Sequence, residues 1–131
     1  MSNKAKGSRV ERELLNLFTE QGWRAARVAG SGVNENTFCD LIAGKQGRKG
    51  YAVEVKSSKK SRIYITKKQI EEFVMFTHMI GLKPVIATRF NREGWHFISP
   101  DQLEDSGENC VVSLDKVQNH GKRFWQFFES T

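Results

Sequence analysis

No apolar run in the 131 residues approaches the length of a membrane span, which argues for a soluble chain without a membrane partner. The opening stretch MSNKAKGSRV lacks the apolar segment that a secretory signal needs, so export is not expected. Cysteine is scarce. Cys39 and Cys110 do not make a disulfide framework, and neither sits in a CxxC pattern. Both are expected to be reduced thiols in a cytoplasmic protein. His78, His96 and His120 show no ligand spacing, so surface or packing roles are expected for them rather than zinc. The loop GKQGRKG is not a phosphate-binding Walker loop, because no Gly-Lys-Ser/Thr follows at the right spacing. Internal repeats and low-complexity linkers are absent. The length suits one domain, residues 1–131, with 1–6 as a flexible basic N-terminus.

What the chain does have is uneven charge. The net formal charge is +6, but residues 1–68 hold fifteen Lys/Arg against six Asp/Glu, a balance of +9. Residues 69–131 hold six against nine, a balance of −3. A polyanion is the natural partner for so basic a half, the plainer alternative being a solvated face.

Hydrophobic periodicity orders the elements. Val10, Leu14, Leu15, Leu17 and Phe18 form a helical stripe, with Ser8 as its expected N-cap and Gly22 as its stop. WRAARVA (23–29) reads as a strand and GSGVNENTF (30–38) as a loop. DLIA and YAVEVK, joined by GKQGRKG, read as an antiparallel hairpin, and RIYI as a further strand. Thr66-x-x-Gln69 is a capping box opening a second helix that runs to about Ile80. Pro84 precedes the strand VIATRF, NREG is a turn, and WHFIS returns as a strand. Pro100 to Glu104 suggest one helical turn and DSGEN a loop, while the last twenty residues show no clear period. Trp23 and Trp95 look like core residues. The order implies an α/β domain with a central mixed β-sheet flanked by helices.

One group of charges breaks the apolar strands. In YAVEVK, alternation puts Tyr51, Val53 and Val55 on one face and Ala52, Glu54 and Lys56 on the other. Asp40 opens the neighbouring strand and can approach Glu54. Two close carboxylates repel each other unless a cation lies between them, and Mg2+ (or Mn2+) suits such oxygen ligands. A metal-activated water beside Lys56 fits phosphodiester hydrolysis. The alternative is a Glu54–Lys56 ion pair facing solvent. Glu11 falls at the edge of the apolar arc of the first helix and points toward the sheet, or else it complements the helix dipole.

Asp40 followed by Glu54-Val55-Lys56 resembles the D…(D/E)xK motif of the restriction-endonuclease-like nucleases. KGSRVERELL, RVAGSG, DLIAG, YAVEVK and IYITKKQIEEF, in that order, resemble the archaeal-type Holliday junction resolvases over roughly residues 6–99. The resemblance implies a restriction-endonuclease-like core and an Mg2+ site built by Glu11, Asp40 and Glu54, with Lys56 as a further catalytic group. It also implies roles near the scissile phosphate for Arg27 and Ser31. Residue 39 is Cys where many members of the superfamily have Pro.

The resemblance further implies a homodimer cutting four-way DNA junctions, and a near-two-fold junction agrees with an isologous dimer. Phe124, Trp125, Phe127 and Phe128 are candidates for its interface, the alternative being their own core. Arg9, Arg12, Arg27, Lys45, Arg48, Lys49, Lys59, Lys60, Arg62, Lys67 and Lys68 are candidate contacts to the DNA backbone. Rival readings are a metal-dependent nuclease of the same superfamily acting on other DNA, and a DNA-binding module without chemistry.

Overall fold

The computed structural model describes the backbone of residues 3–28 and 39–130 and the side chains of 9–28 and 39–130. Helix α1 (Asn3–Glu20) is followed by strands β1 (Arg24–Arg27), β2 (Leu41–Gly44), β3 (Tyr51–Ser58) and β4 (Arg62–Thr66). Helix α2 (Lys67–Met79) leads into β5 (Lys83–Phe90) and β6 (Gly94–Ile98). A 3-10 turn (Pro100–Gln102), strands β7 (Glu104–Ser106) and β8 (Asn109–Ser113), and helices α3 (Leu114–Asn119) and α4 (Phe124–Phe128) complete the chain.

The main sheet has the order β1-β2-β3-β5-β6 and is mixed, because β3 and β5 run parallel while the other neighbours are antiparallel. The crossover from β3 to β5 carries β4 and α2. Val10, Leu14 and Phe18 of α1 pack with Phe124 and Phe128 of α4 on one face, against Leu41, Val53, Val85 and Phe97. Phe73 of α2 packs on the other face against Ala52 and Ile86, together with Ile63, Ile65 and Val112 of a second, three-stranded sheet, β4-β8-β7. The alternation expected of β3 is therefore borne out: Val53 faces α1 and Ala52 faces α2.

Several boundaries differ from expectation. Helix α1 begins at Asn3, so Ser8 lies inside it rather than capping it, and residues 3–6 belong to the helix. Lys4, Ala5 and Lys6 are good helix formers, and an 18-residue helix tolerates Gly7 at a cost of about 1 kcal/mol. Thr66 caps α2 as expected, its hydroxyl accepting from the Gln69 amide at 3.1 Å. Pro84 lies inside β5. The Lys83 amide donates to the carbonyl of Gly50, just before β3, so the ring nitrogen of Pro84 faces the β6 side, where pairing starts only at Ile86.

The sequence reading has no counterpart for β7, β8, α3 or α4. The loop expected at DSGEN is a tight hairpin turn with Gly107 at φ +69°, and a leading glycine suits such a turn. Trp23 and Trp95 are buried, as is His96, whereas His78 and His120 are exposed.

Candidate active site

The β2–β3 pairing ends at Leu41 and Val53, two residues before Val55. The Asp40 amide donates to the Val53 carbonyl at 3.0 Å, and the Asp40 carbonyl accepts from Val28 at 2.9 Å. The next amide of β3 on that side, Val55, has no strand opposite it. Asp40 Oδ2 takes its place, accepting from the Val55 N–H at 2.8 Å. The aspartate therefore terminates a ladder and is fixed in orientation by it.

Glu54 lies next along β3, opposite Ile86 of β5, and is only 8% exposed. Burial and the negative charge of Asp40 push its carboxyl up to about 8, and Lys56 opposes them only in part. The Glu54 and Asp40 carboxyls are close enough to hydrogen-bond each other. Lys56 Nζ lies 3.6 Å from Glu54 Oε1. The ion pair set out as the plainer reading of E-x-K is thus present, but its carboxylate is buried rather than solvated. Cys39, just before Asp40, is also buried, and its thiol is pushed up to about 11 by burial and by the two neighbouring acids.

Glu11 approaches Asp40 from α1. Burial, then the Asp40 charge, raises its carboxyl, while Arg27 pulls it down. Arg27 Nη2 lies 3.5 Å from Glu11 Oε2, and Glu11 Oε1 is buried without a hydrogen-bond partner among the described residues. Asp40 is the neighbour shared by Glu11 and Glu54, which come from opposite sides: α1 covers the Val53 face, whereas Glu54 points to the α2 face. Among the described residues no three His, Cys, Asp or Glu side chains are grouped closely enough to hold one ion. The structure thus joins Asp40, Glu54 and Lys56, and sets Glu11 against Asp40 alone. Ser31 lies outside the described residues.

The candidate DNA-contacting cations divide by position. Lys59, Lys60 and Arg62 are exposed just after the end of β3 that carries Lys56. Arg9 and Arg12 are exposed on α1, on either side of Glu11 in sequence. Lys67 pairs with Asp105 at 2.7 Å, and Lys68 lies 4.0 Å from Glu72. Lys45, Arg48 and Lys49 occupy the β2–β3 turn at the opposite end of the strands, roughly 15 Å from Glu54 by strand rise. Lys45 and Arg48 each hold Glu129 at 3.2 Å, and Trp23 Nε1 donates to the same carboxylate at 2.7 Å. Those two cations therefore tie the C-terminal segment to the turn, a link across more than eighty residues that carries no local signal.

A central mixed sheet with Asp40 ending one strand and a buried Glu54 beside Lys56 on the next defines a restriction-endonuclease-like domain. The family model for the archaeal Holliday junction resolvase (Hjc) matches residues 2–130. The crossover junction endodeoxyribonuclease Hjc of Archaeoglobus fulgidus is 37% identical over 132 residues, covering 95% of this chain and 96% of that one. Its counterpart in Methanocaldococcus jannaschii is 42% identical over 108 residues, 82% of this chain and 75% of that one. A solved structure of the Archaeoglobus fulgidus Hjc, described as a Holliday junction resolvase, superposes with a TM-score of 0.82 at 30% identity, covering 91% of this chain and 97% of that chain. The chain belongs to the archaeal Holliday junction resolvase family.

Proposed function

We propose that this chain is an Mg2+-dependent endodeoxyribonuclease of the cytoplasm that binds four-way DNA junctions as a homodimer and hydrolyses one phosphodiester in each of two opposed strands. The observation that carries the proposal is Glu54, buried against Asp40 with the Lys56 ammonium 3.6 Å away. Burying Glu54 beside a second acid costs stability that Lys56 offsets only in part, which supports a role for the cluster in binding a ligand.

The donor set suits a hard divalent ion. It offers carboxylate oxygens, and Glu11 adds a buried oxygen without a partner beside the same Asp40. Asp40 and Glu54 would hold Mg2+, or Mn2+ in its place; Glu11, which meets Asp40 but not Glu54, would join them only once a bound cation draws the three acids together. A cation bound there supplies an activated water and neutralises charge on the phosphodiester. Lys56 would orient an attacking water or donate to a phosphoryl oxygen, as a compact positive charge fixed on a strand. The Val55 amide keeps Asp40 from turning away. Arg27 and Ser31 are assigned to the strand near the scissile phosphate, and Arg9, Arg12, Lys59, Lys60, Arg62, Lys67 and Lys68 to the DNA backbone.

For the dimer, the aromatic C-terminus offers less than its sequence suggests. Phe124 and Phe128 are buried in their own core with Phe127 packed against it, leaving only Trp125 exposed. Other uncovered apolar groups are Met75, Met79 and Ile80 around the end of α2, and Ile42 beside an open trough of about 430 Å³. No helix among the described residues is long and apolar enough to cross a membrane. Light scattering tests the dimer, and cleavage of a labelled four-way junction against an excess of linear duplex tests the substrate. The proposal expects twice the chain mass and junction cleavage that survives the competitor. A monomer, or equal cleavage of linear duplex, contradicts it.

A further inference from the structure

Because β3 and β5 run parallel, their ends emerge at the same edge of the sheet, where Ser58 pairs with Phe90, two residues beyond Lys56 and Thr88. Two turns leave there: residues 59–61 after β3 and residues 91–93 after β5. The Asn91 amide donates to the Ser58 carbonyl at 3.0 Å, which joins the turns, and the Lys60 amide donates to Ser58 Oγ at 2.9 Å, which pins the first. The exposed cations Lys59, Lys60 and Arg92 are thereby brought onto one lip beyond the Glu54–Lys56 pair.

Arg92 is unusual in its backbone. Its φ of +67° makes it the sole non-glycine in the left-handed region among the described residues. The Glu93 amide closes the turn on the Phe90 carbonyl at 3.0 Å, which puts Arg92 at the third turn position, where positive φ favours Gly or Asn. Local chemistry therefore disfavours an arginine here. Its guanidinium makes no hydrogen bond or ion pair among the described residues, so no internal contact offsets that strain. Glu93 accepts from Gln118 at 3.2 Å and is directed toward α3. Arg89, by contrast, is held by Glu13 at 2.7 Å.

We propose that Arg92 contacts the phosphodiester backbone of the bound DNA next to the cleavage position, completing a cationic lip with Lys59 and Lys60. The inference rests on the nuclease reading above. It adds a positioning residue from the half of the chain whose net charge is negative, brought there by the parallel pairing. Strain retained at a solvent-facing cation marks a site held for contact with a ligand.

The test compares wild type with Arg92→Gly, Arg92→Asn and Arg92→Lys. The readouts are thermal unfolding and junction affinity across a salt series with Ca2+ in place of Mg2+. Glycine and asparagine both suit the left-handed turn, so those variants should unfold no earlier than wild type. They should bind about fivefold or more weakly, with a salt slope shallower by about 0.9, the loss of one phosphate contact. Arg92→Lys should recover the wild-type slope. Unchanged affinity and slope in both Arg92→Gly and Arg92→Asn would overturn the role of Arg92 and leave the nuclease reading standing. A wild-type chain that does not bind the junction overturns both.

Discussion

Lys56→Ala is expected to bind a four-way junction within about threefold of wild type and to cut it about a thousandfold more slowly. The binding estimate follows from the removal of one cation out of many that face the DNA backbone. The rate estimate follows from the cost of deleting a pre-oriented charge at the reacting group, typically about 3–4 kcal/mol of barrier. Lys56 is well placed for this role because it projects from the same strand face as Glu54 and lies 3.6 Å from its carboxylate. Single-turnover cleavage with saturating enzyme separates the two quantities. A variant that cuts within tenfold of wild type would remove Lys56 from the chemistry. A variant that neither binds nor cuts would make it a DNA contact.

The second large effect concerns stability. Phe128→Ala is expected to cost about 3–5 kcal/mol and to lower the unfolding midpoint by about 10 °C or more. Phe128 is 3% exposed and touches the rings of Phe18, Trp23, Tyr51, Phe97, Phe124 and Phe127 at centroid distances of 4.7 to 5.3 Å. These rings come from α1, the chain after it, β3, β6 and α4, so a cavity here loosens most of the α1 face of the sheet at once. The neighbouring Glu129 then loses its anchor against Trp23, Lys45 and Arg48. Urea unfolding followed by circular dichroism measures the cost. A loss below 1 kcal/mol would mean that α4 is dispensable to the core.

Those two residues also illustrate what the sequence could and could not convey. The charged trio was readable because period-two alternation and a short hairpin loop fix the faces and partners of Asp40, Glu54 and Lys56 within a few residues of one another. The place of Glu11 was half readable. Its helical position put it at the edge of the buried arc, but not on which side of the sheet it would meet Asp40.

The second sheet was not readable, since β4 pairs with β8 across most of the second half of the chain and β7 is three exposed polar residues. Helix α4 is barely longer than one turn, too short for a period to show. In hindsight Phe124, Phe127 and Phe128 have the i, i+3, i+4 spacing of a buried face, and Ser113 with its hydroxyl on the Lys116 amide marks the start of α3. The basic turn at residues 45–49 carries a further role that its composition does not show: two of its cations hold the Glu129 carboxylate, which only the tertiary structure brings there.

The claim on which the mechanism depends is that Asp40 and Glu54 hold a divalent ion where a DNA strand is cut. Strand cleavage of an end-labelled junction by wild type and Asp40→Asn, each with Mg2+ and with EDTA, tests it most directly. Product from wild type in Mg2+ alone, and from neither protein in EDTA, is the expected result. Cleavage by wild type in EDTA, or undiminished cleavage by Asp40→Asn in Mg2+, would contradict it.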